Sequence, residues 1–213
     1  MNMIKELLPQ IGSGLTVTLS VFILTLVISI PLGIIVAIGR IKGTNITKRL
    51  IDLYILVMRG TPLLLQIIFI FFGLPLLGVK FSRFTAAIIA FVLNYGAYFA
   101  EIFRGGIESI DEGQREASKV LGISDAQMYR RIILPQSIKI VLPSIGNEVI
   151  SLVKDTALVY VVGLEDILRV GKIATNTDAS LVPLLLVGVI YLILVLIISL
   201  VFKKLEKRYS YYK

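Results

Sequence analysis

Long uninterrupted apolar runs, rather than short alternations, organise this chain. Gly14 to Ile38 is charge-free over 25 residues and Ala179 to Phe202 over 24. A bilayer core needs about 20 apolar residues per helix, so these runs predict spanning helices at about 14–38 and 179–202. Gly60 to Val79 is also charge-free, but Gly73, Pro75 and Gly78 close it early. The second helix is therefore expected over about 50–72, with Arg59 inside it. Phe84 to Ala100 predicts a third helix, extended to about 84–103. Gln136 to Val162 is apolar yet carries Lys139, Pro143, Glu148, Lys154 and Asp155. Polar residues within a span face the bundle interior or a water-filled cavity, so a fourth helix is expected at about 139–155, enclosed by its neighbours.

The pattern thus predicts an all-α membrane protein, one transmembrane domain over 1–213 with five helices. The polar stretch 104–136 is broken by Asp111-Glu112-Gly113 and by Gly122 into short helical pieces, and a smaller excursion covers 163–179. The amino terminus balances Lys5 with Glu6, has too long an apolar run and lacks an A-x-A site, so it does not read as a cleaved signal peptide. No inverted repeat of the secondary-transporter kind is visible.

Composition agrees: 56% of residues are hydrophobic and 17% charged, against about 45–50% and 25% in soluble domains. Zero cysteine and zero histidine remove thiol nucleophiles, disulfides, a Ser-His-Asp triad and the commonest metal ligand. Neither catalytic residues nor a metal site are expected, and the chain contains no G-x-x-x-x-G-K-[ST] phosphate loop. The net charge of +8 takes its meaning from its distribution. Arg40, Lys42, Lys48 and Arg49 follow helix one; Arg104, Arg115, Lys119, Arg130, Arg131 and Lys139 lie in or beside the long polar stretch; Lys203, Lys204, Lys207, Arg208 and Lys213 form the tail. Five spans put these fifteen on one side, with Lys5, Lys80, Arg83, Arg169 and Lys172 on the other. Cytoplasmic loops carry the lysine and arginine excess, which predicts N-out and C-in. The charge orients the chain in a lipid bilayer and requires no nucleic-acid partner.

Within the 104–136 stretch stands E-A-S-x3-G-x9-I-x-L-P, formed by Glu116, Ala117, Ser118, Gly122, Ile132, Leu134 and Pro135. Small Ala117 and Ser118 suit close docking of a helix face, Gly122 can take positive φ and stop the helix, and Glu116 offers a carboxylate to a basic partner group. This pattern resembles the E-A-A signature of permease subunits of bacterial ABC importers, with Ser118 in place of alanine. Arg59-Gly60-Thr61-Pro62-Leu63-Leu64-Leu65-Gln66 and Lys154-Asp155-Thr156-Ala157-Leu158 resemble segments of the polar amino acid permeases. The resemblance implies a type I importer fold in the bacterial plasma membrane, with Glu116 to Gly122 as a coupling helix. It also implies three partners: a cytoplasmic ATPase dimer carrying ATP and Mg, a second permease copy or related chain, and an extracytoplasmic amino-acid-binding protein. No cofactor is expected in this chain.

Intramembrane polar residues supply the candidate substrate site. Asn94, Tyr98 and Glu101 fall at i, i+4 and i+7 on one helical face with Tyr95 flanking, while Gly96 and Ala100 suit close helix packing. Thr61 and Gln66 flank the ladder break made by Pro62, tolerated in a membrane where backbone lines a cavity. Asp155 beside Glu101 would suit a cationic side chain or an α-amino group; Lys154 or the freed amides would hold an α-carboxylate. Alternatively these charges form structural ion pairs, Arg59 with Glu148 or Glu101 with an arginine. Asp52, Glu101, Glu148 and Asp155 against Arg59 and Lys154 leave an excess of two negative charges in the membrane. That excess points to basic amino acids, with glutamine or glutamate the alternative. A stand-alone secondary transporter or channel, or an aspartyl intramembrane hydrolase, would need no E-A-A segment.

Overall fold

The computed structural model describes residues 2–209; Lys5 and Lys213 lie outside the residues whose side chains it describes. Among those residues the secondary structure is entirely helical: α1 (Asn2–Lys42), α2 (Asn45–Gly60), α3 (Leu63–Ile68), α4 (Arg83–Glu108), α5 (Glu112–Val120), α6 (Asp125–Met128), α7 (Leu134–Asp155), α8 (Ile167–Asp178) and α9 (Val182–Tyr209). Among the described residues three helices are long and apolar enough to cross a membrane: α1 from Leu7, α4 and α9. A bent pair, α2 with the helical run Leu63–Leu77, brings the number to four.

The expected single helix over 50–72 is two helices meeting at 104°. Pro62 has no N–H, so Met58 O loses its acceptor role in the i→i+4 ladder, and the chain turns extended at Thr61 (φ −120°, ψ 147°) and Pro62. Most other boundaries move outward, but the last helix starts at Val182 rather than Ala179, because Ala179 closes α8 in the left-handed region (φ +48°). α1 runs through Pro9 and Pro31 to Lys42; α4 starts at Arg83, where Ser82 caps it by accepting from Thr85 N–H, and runs on to Glu108, closed by Ser109 N–H donating to Gly105 O. α7 begins at Leu134 and continues as a 3-10 turn over Thr156–Val162. The 163–179 excursion folds as α8, whose start is capped by buried Asp166 accepting from the N–H groups of Leu168 and Arg169.

The core is built on α4, whose interface with α1 is the most extensive in the molecule. Phe91, Tyr95 and Phe99 of α4 are buried with Val21, Ile67, Val149, Leu152 and Val159. Small residues set the approach: a Cβ on Gly33 would lie 2.6 Å from Phe99 Cβ and 3.0 Å from Ala100 N. Backbone cannot retreat as a flexible side chain can, so Gly33→Ala is expected to cost about 1–3 kcal/mol, seen as a lowered unfolding temperature of the detergent-solubilised chain.

The elements sort into two ends. At one, Ile41, Ile107, Met128 and Ile133 pack together, and Arg40 reaches Asp52 and Glu101. At the other, Leu7 and Ile11 meet Val170, and Arg83 donates to Gly163 O at 3.5 Å. α7 runs from the first end to the second, so it traverses the bundle although its polar residues keep it out of the apolar set.

Candidate functional site

The break in α2 organises the site. Met58 O, orphaned by Pro62, accepts from Asn94 Nδ2 at 2.7 Å and from Gln66 Nε2 at 2.9 Å. Gln66 Nε2 also donates to Thr61 O and Oγ1, the Thr61 hydroxyl donates to Val57 O at 2.8 Å, and Asn94 Nδ2 donates to Gln66 Oε1. Buried backbone acceptors need partners, and these side chains supply them, pinning the break to the middle of α4.

Beside the break lies a cavity of about 520 Å³, within the range of small-molecule sites. Its α2 wall carries Arg59 and Thr61, its α4 wall Asn94, Tyr95 and Tyr98, and its α7 wall Glu148, Ser151, Lys154 and Asp155. Tyr95 donates its hydroxyl to Asp155 Oδ2 at 2.7 Å, which orients that carboxylate. The Arg59 guanidinium sits 5.0 Å over the Tyr98 ring, a cation–π placement. The cavity holds two cations and two carboxylates, with Glu148 and Asp155 on a different wall from Arg59.

Six of the eight expected site residues meet here: Thr61, Asn94, Tyr95, Tyr98, Lys154 and Asp155. Gln66 does not; its amide is consumed by the helix break, and it faces an apolar groove with Leu65, Phe69 and Phe81. Glu101 does not either. Arg104 Nη2 and Nε lie 2.9 and 3.2 Å from its two oxygens, and Arg40 donates to Oε1. Arg40 also pairs with Asp52 at 2.7 Å, and Arg104 with Glu108. The negative excess inferred for the membrane interior therefore does not reach the cavity, because Asp52 and Glu101 are matched by arginines from the helix ends. Arg59 approaches Glu101, at 3.6 Å, rather than the alternative partner Glu148.

Glu148, Ser151 and Arg59 are cavity residues absent from the expected set. Glu148, Ser151 and Asp155 stand at i, i+3 and i+7, a one-face spacing visible in the sequence; Arg59 is the charged residue preceding the break.

In the polar stretch, α5 carries Glu116 and Ala117 exposed and Ser118 buried. Ser118 is 2% exposed and donates to Gln114 O at 2.6 Å, one turn back in α5, so its side chain is turned towards its own chain. Gly122 ends the helix in the left-handed region (φ +68°). Gly122 N–H donates to Lys119 O and Ile123 N–H to Ser118 O, both at 3.0 Å, a Schellman closure. Val120 and Leu121 at the tip are 87% and 75% exposed.

Apolar spans packed around a polar cavity are the features of a membrane permease. The chain belongs to the family described as binding-protein-dependent transport system inner membrane component, whose model matches residues 29–211; it is the permease subunit of an ABC importer, multi-pass in the bacterial plasma membrane. The arginine transport system permease protein ArtQ of Bacillus subtilis (strain 168) is 40% identical over 203 residues, 94% of this chain and 93% of that protein. The glutamine transport system permease protein GlnP of Escherichia coli (strain K12) is 36% identical over 204 residues, 94% and 93%. A solved amino acid ABC transporter with histidines superposes with a TM-score of 0.90 at 36% identity, covering 97% of each chain. The MetNI methionine ABC transporter, inward facing, shares the fold at a TM-score of 0.74 and 20% identity, covering 98% of each chain.

Proposed function

We propose that this chain forms the substrate pathway of an ATP-driven importer of polar amino acids and that basic amino acids are its preferred cargo. The carrying observation is the α7 wall, where Glu148 and Asp155 face a cavity of about 520 Å³ together with Tyr95. A carboxylate pair held there favours a guanidinium or ammonium group, and the similarity to an arginine permease and to an amino acid transporter with histidines supports the reading. The bundle crosses the membrane five times, N-out and C-in, with α7 as the added span; its polar face is turned to the cavity, and its end-to-end course supports this count. The α4–α7 connection then lies in the cytoplasm, where α5 meets one member of an ATPase dimer that binds ATP and Mg. A second permease copy or related chain completes the pathway, and an extracytoplasmic binding protein delivers the amino acid.

The test is ATP hydrolysis by the reconstituted complex with its binding protein over a panel of amino acids. Arginine, lysine and histidine are expected to stimulate hydrolysis more strongly than glutamine or glutamate. The reverse order would favour the glutamine relatives' specificity. Uptake into liposomes by this chain alone would overturn the ATP-driven reading in favour of a stand-alone transporter.

A further inference from the structure

We propose that Arg59 binds the substrate carboxylate and, in doing so, exchanges its contact with Glu101 for the substrate, which links cavity occupancy to the ion cluster joining α1, α2 and α4. The inference rests on the amino-acid reading of the cavity. Three features carry it.

The first is placement. With Glu148 and Asp155 on the α7 wall and Arg59 on the α2 wall, a zwitterion that turns its cationic groups to α7 turns its carboxylate to α2. Lys154 shares the α7 wall with the two carboxylates, so it does not offer a pole opposed to them. A guanidinium fork matches a carboxylate with two parallel hydrogen bonds.

The second is the quality of the contact that Arg59 leaves. Its Nη1 stands 3.6 Å from Glu101 Oε2, beyond hydrogen-bond length, and its side chain is 41% exposed. Glu101 already accepts from Arg104 at both oxygens and from Arg40 at Oε1. Departure of Arg59 therefore leaves no orphaned carboxylate, the outcome that makes most ion-pair exchanges costly.

The third is the platform. Tyr98 lines the cavity, and the guanidinium rests over its ring. A cation–π contact is tolerant of rotation in the plane of the guanidinium, so the same perch serves either anion. Arg59 also lies in the last turn of α2, one residue before Gly60 and two before the extended Thr61. Arg40 ties α1 to α2 through Asp52 and to α4 through Glu101, while Arg59 adds the direct α2–α4 ion pair. Filling the cavity thus trades that α2–α4 contact for one to substrate and leaves the Arg40 and Arg104 contacts in place.

The experiment compares arginine with agmatine, its decarboxylated amine, in equilibrium binding to the permease–ATPase complex without binding protein. The wild-type complex is expected to bind arginine more tightly than agmatine. Arg59→Gln is expected to weaken arginine about tenfold or more, as loss of a charge-assisted hydrogen bond does, and to leave agmatine within about twofold. Arg59→Lys, which keeps the charge and loses the fork, is expected to fall between. Equal weakening of both ligands in Arg59→Gln would reveal a structural role and overturn the assignment, as would unchanged arginine binding. Equal wild-type affinities for the two ligands would overturn the Arg59 assignment while leaving a cation-binding cavity. Failure of the wild-type complex to bind either ligand would overturn the amino-acid reading and this inference with it.

Discussion

Asp155→Asn is expected to cut uptake of arginine by the assembled transporter about tenfold or more, while uptake of glutamine falls by no more than about threefold. The Asp155 carboxylate lines the cavity and is oriented by the Tyr95 hydroxyl at 2.7 Å. Asparagine keeps the size and an acceptor oxygen for Tyr95, so the packing of α4 against α7 survives and the charge alone is lost. A cationic side chain loses a charge-assisted partner; a neutral amide side chain keeps an acceptor, because asparagine still provides one. Glu148→Gln, two helical turns away on the same face of α7, is expected to show the same preference with a smaller amplitude, because Tyr95 does not orient it. Radiolabelled uptake of the two amino acids, each normalised to transporter content, checks both variants. Equal losses for arginine and glutamine would remove the argument for a basic cargo.

Glu101 is held by Arg40 and Arg104 and does not serve the cavity, a pairing that the sequence does not make legible. Its spacing with Asn94 and Tyr98 correctly places it on their face, but one-dimensional periodicity cannot see Arg40, 61 residues away, folding back over the end of α4. The same blindness affects the charge count inside the membrane: run length places Arg40 and Arg104 in loops, whereas the longer α1 and α4 carry them into the bundle end, where they neutralise Asp52 and Glu101. Charge-free runs stop where the bilayer stops, so they give α1, α4 and the far end of α9 short, whereas a helix begins and ends where its backbone groups find caps, as Ser82 and Asp166 set the starts of α4 and α8. The apolar spans and the Gly122 stop were legible because their causes are local, in run length and in glycine's access to positive φ. Pro62 announced its break, but the 104° bend and the pairing of Asn94 and Gln66 with Met58 O depend on α4 being alongside. The small size of Ser118 suits close docking, while its burial depends on how α5 packs on its own chain.

Gly122→Pro is expected to abolish substrate-stimulated ATP hydrolysis in the complex and to weaken ATPase association about tenfold or more, with the membrane bundle intact. Proline fixes φ near −65°, against +68° at this position, and it removes the N–H that donates to Lys119 O. The Ile123 N–H to Ser118 O bond depends on the same left-handed turn, so both closures of α5 are lost together. The exposed Val120 and Leu121 at the helix tip would then point elsewhere, and a rigid α5–α6 corner would become a variable one. Little of this reaches the core: α5 is tied to its own chain chiefly through buried Ser118 and through Arg115, which donates to Ile107 O at 3.0 Å. Helical content and unfolding temperature of the purified permease are therefore expected to stay close to wild type, separating loss of docking from loss of fold. Gly122→Ala provides the graded control. A Cβ at Gly122 meets nothing within 4 Å, so the cost is that of a left-handed alanine, about 1–2 kcal/mol, and association is expected to weaken while the corner survives. Co-purification of the tagged ATPase with each variant reads the series, and unchanged association in Gly122→Pro would contradict the coupling role assigned to α5.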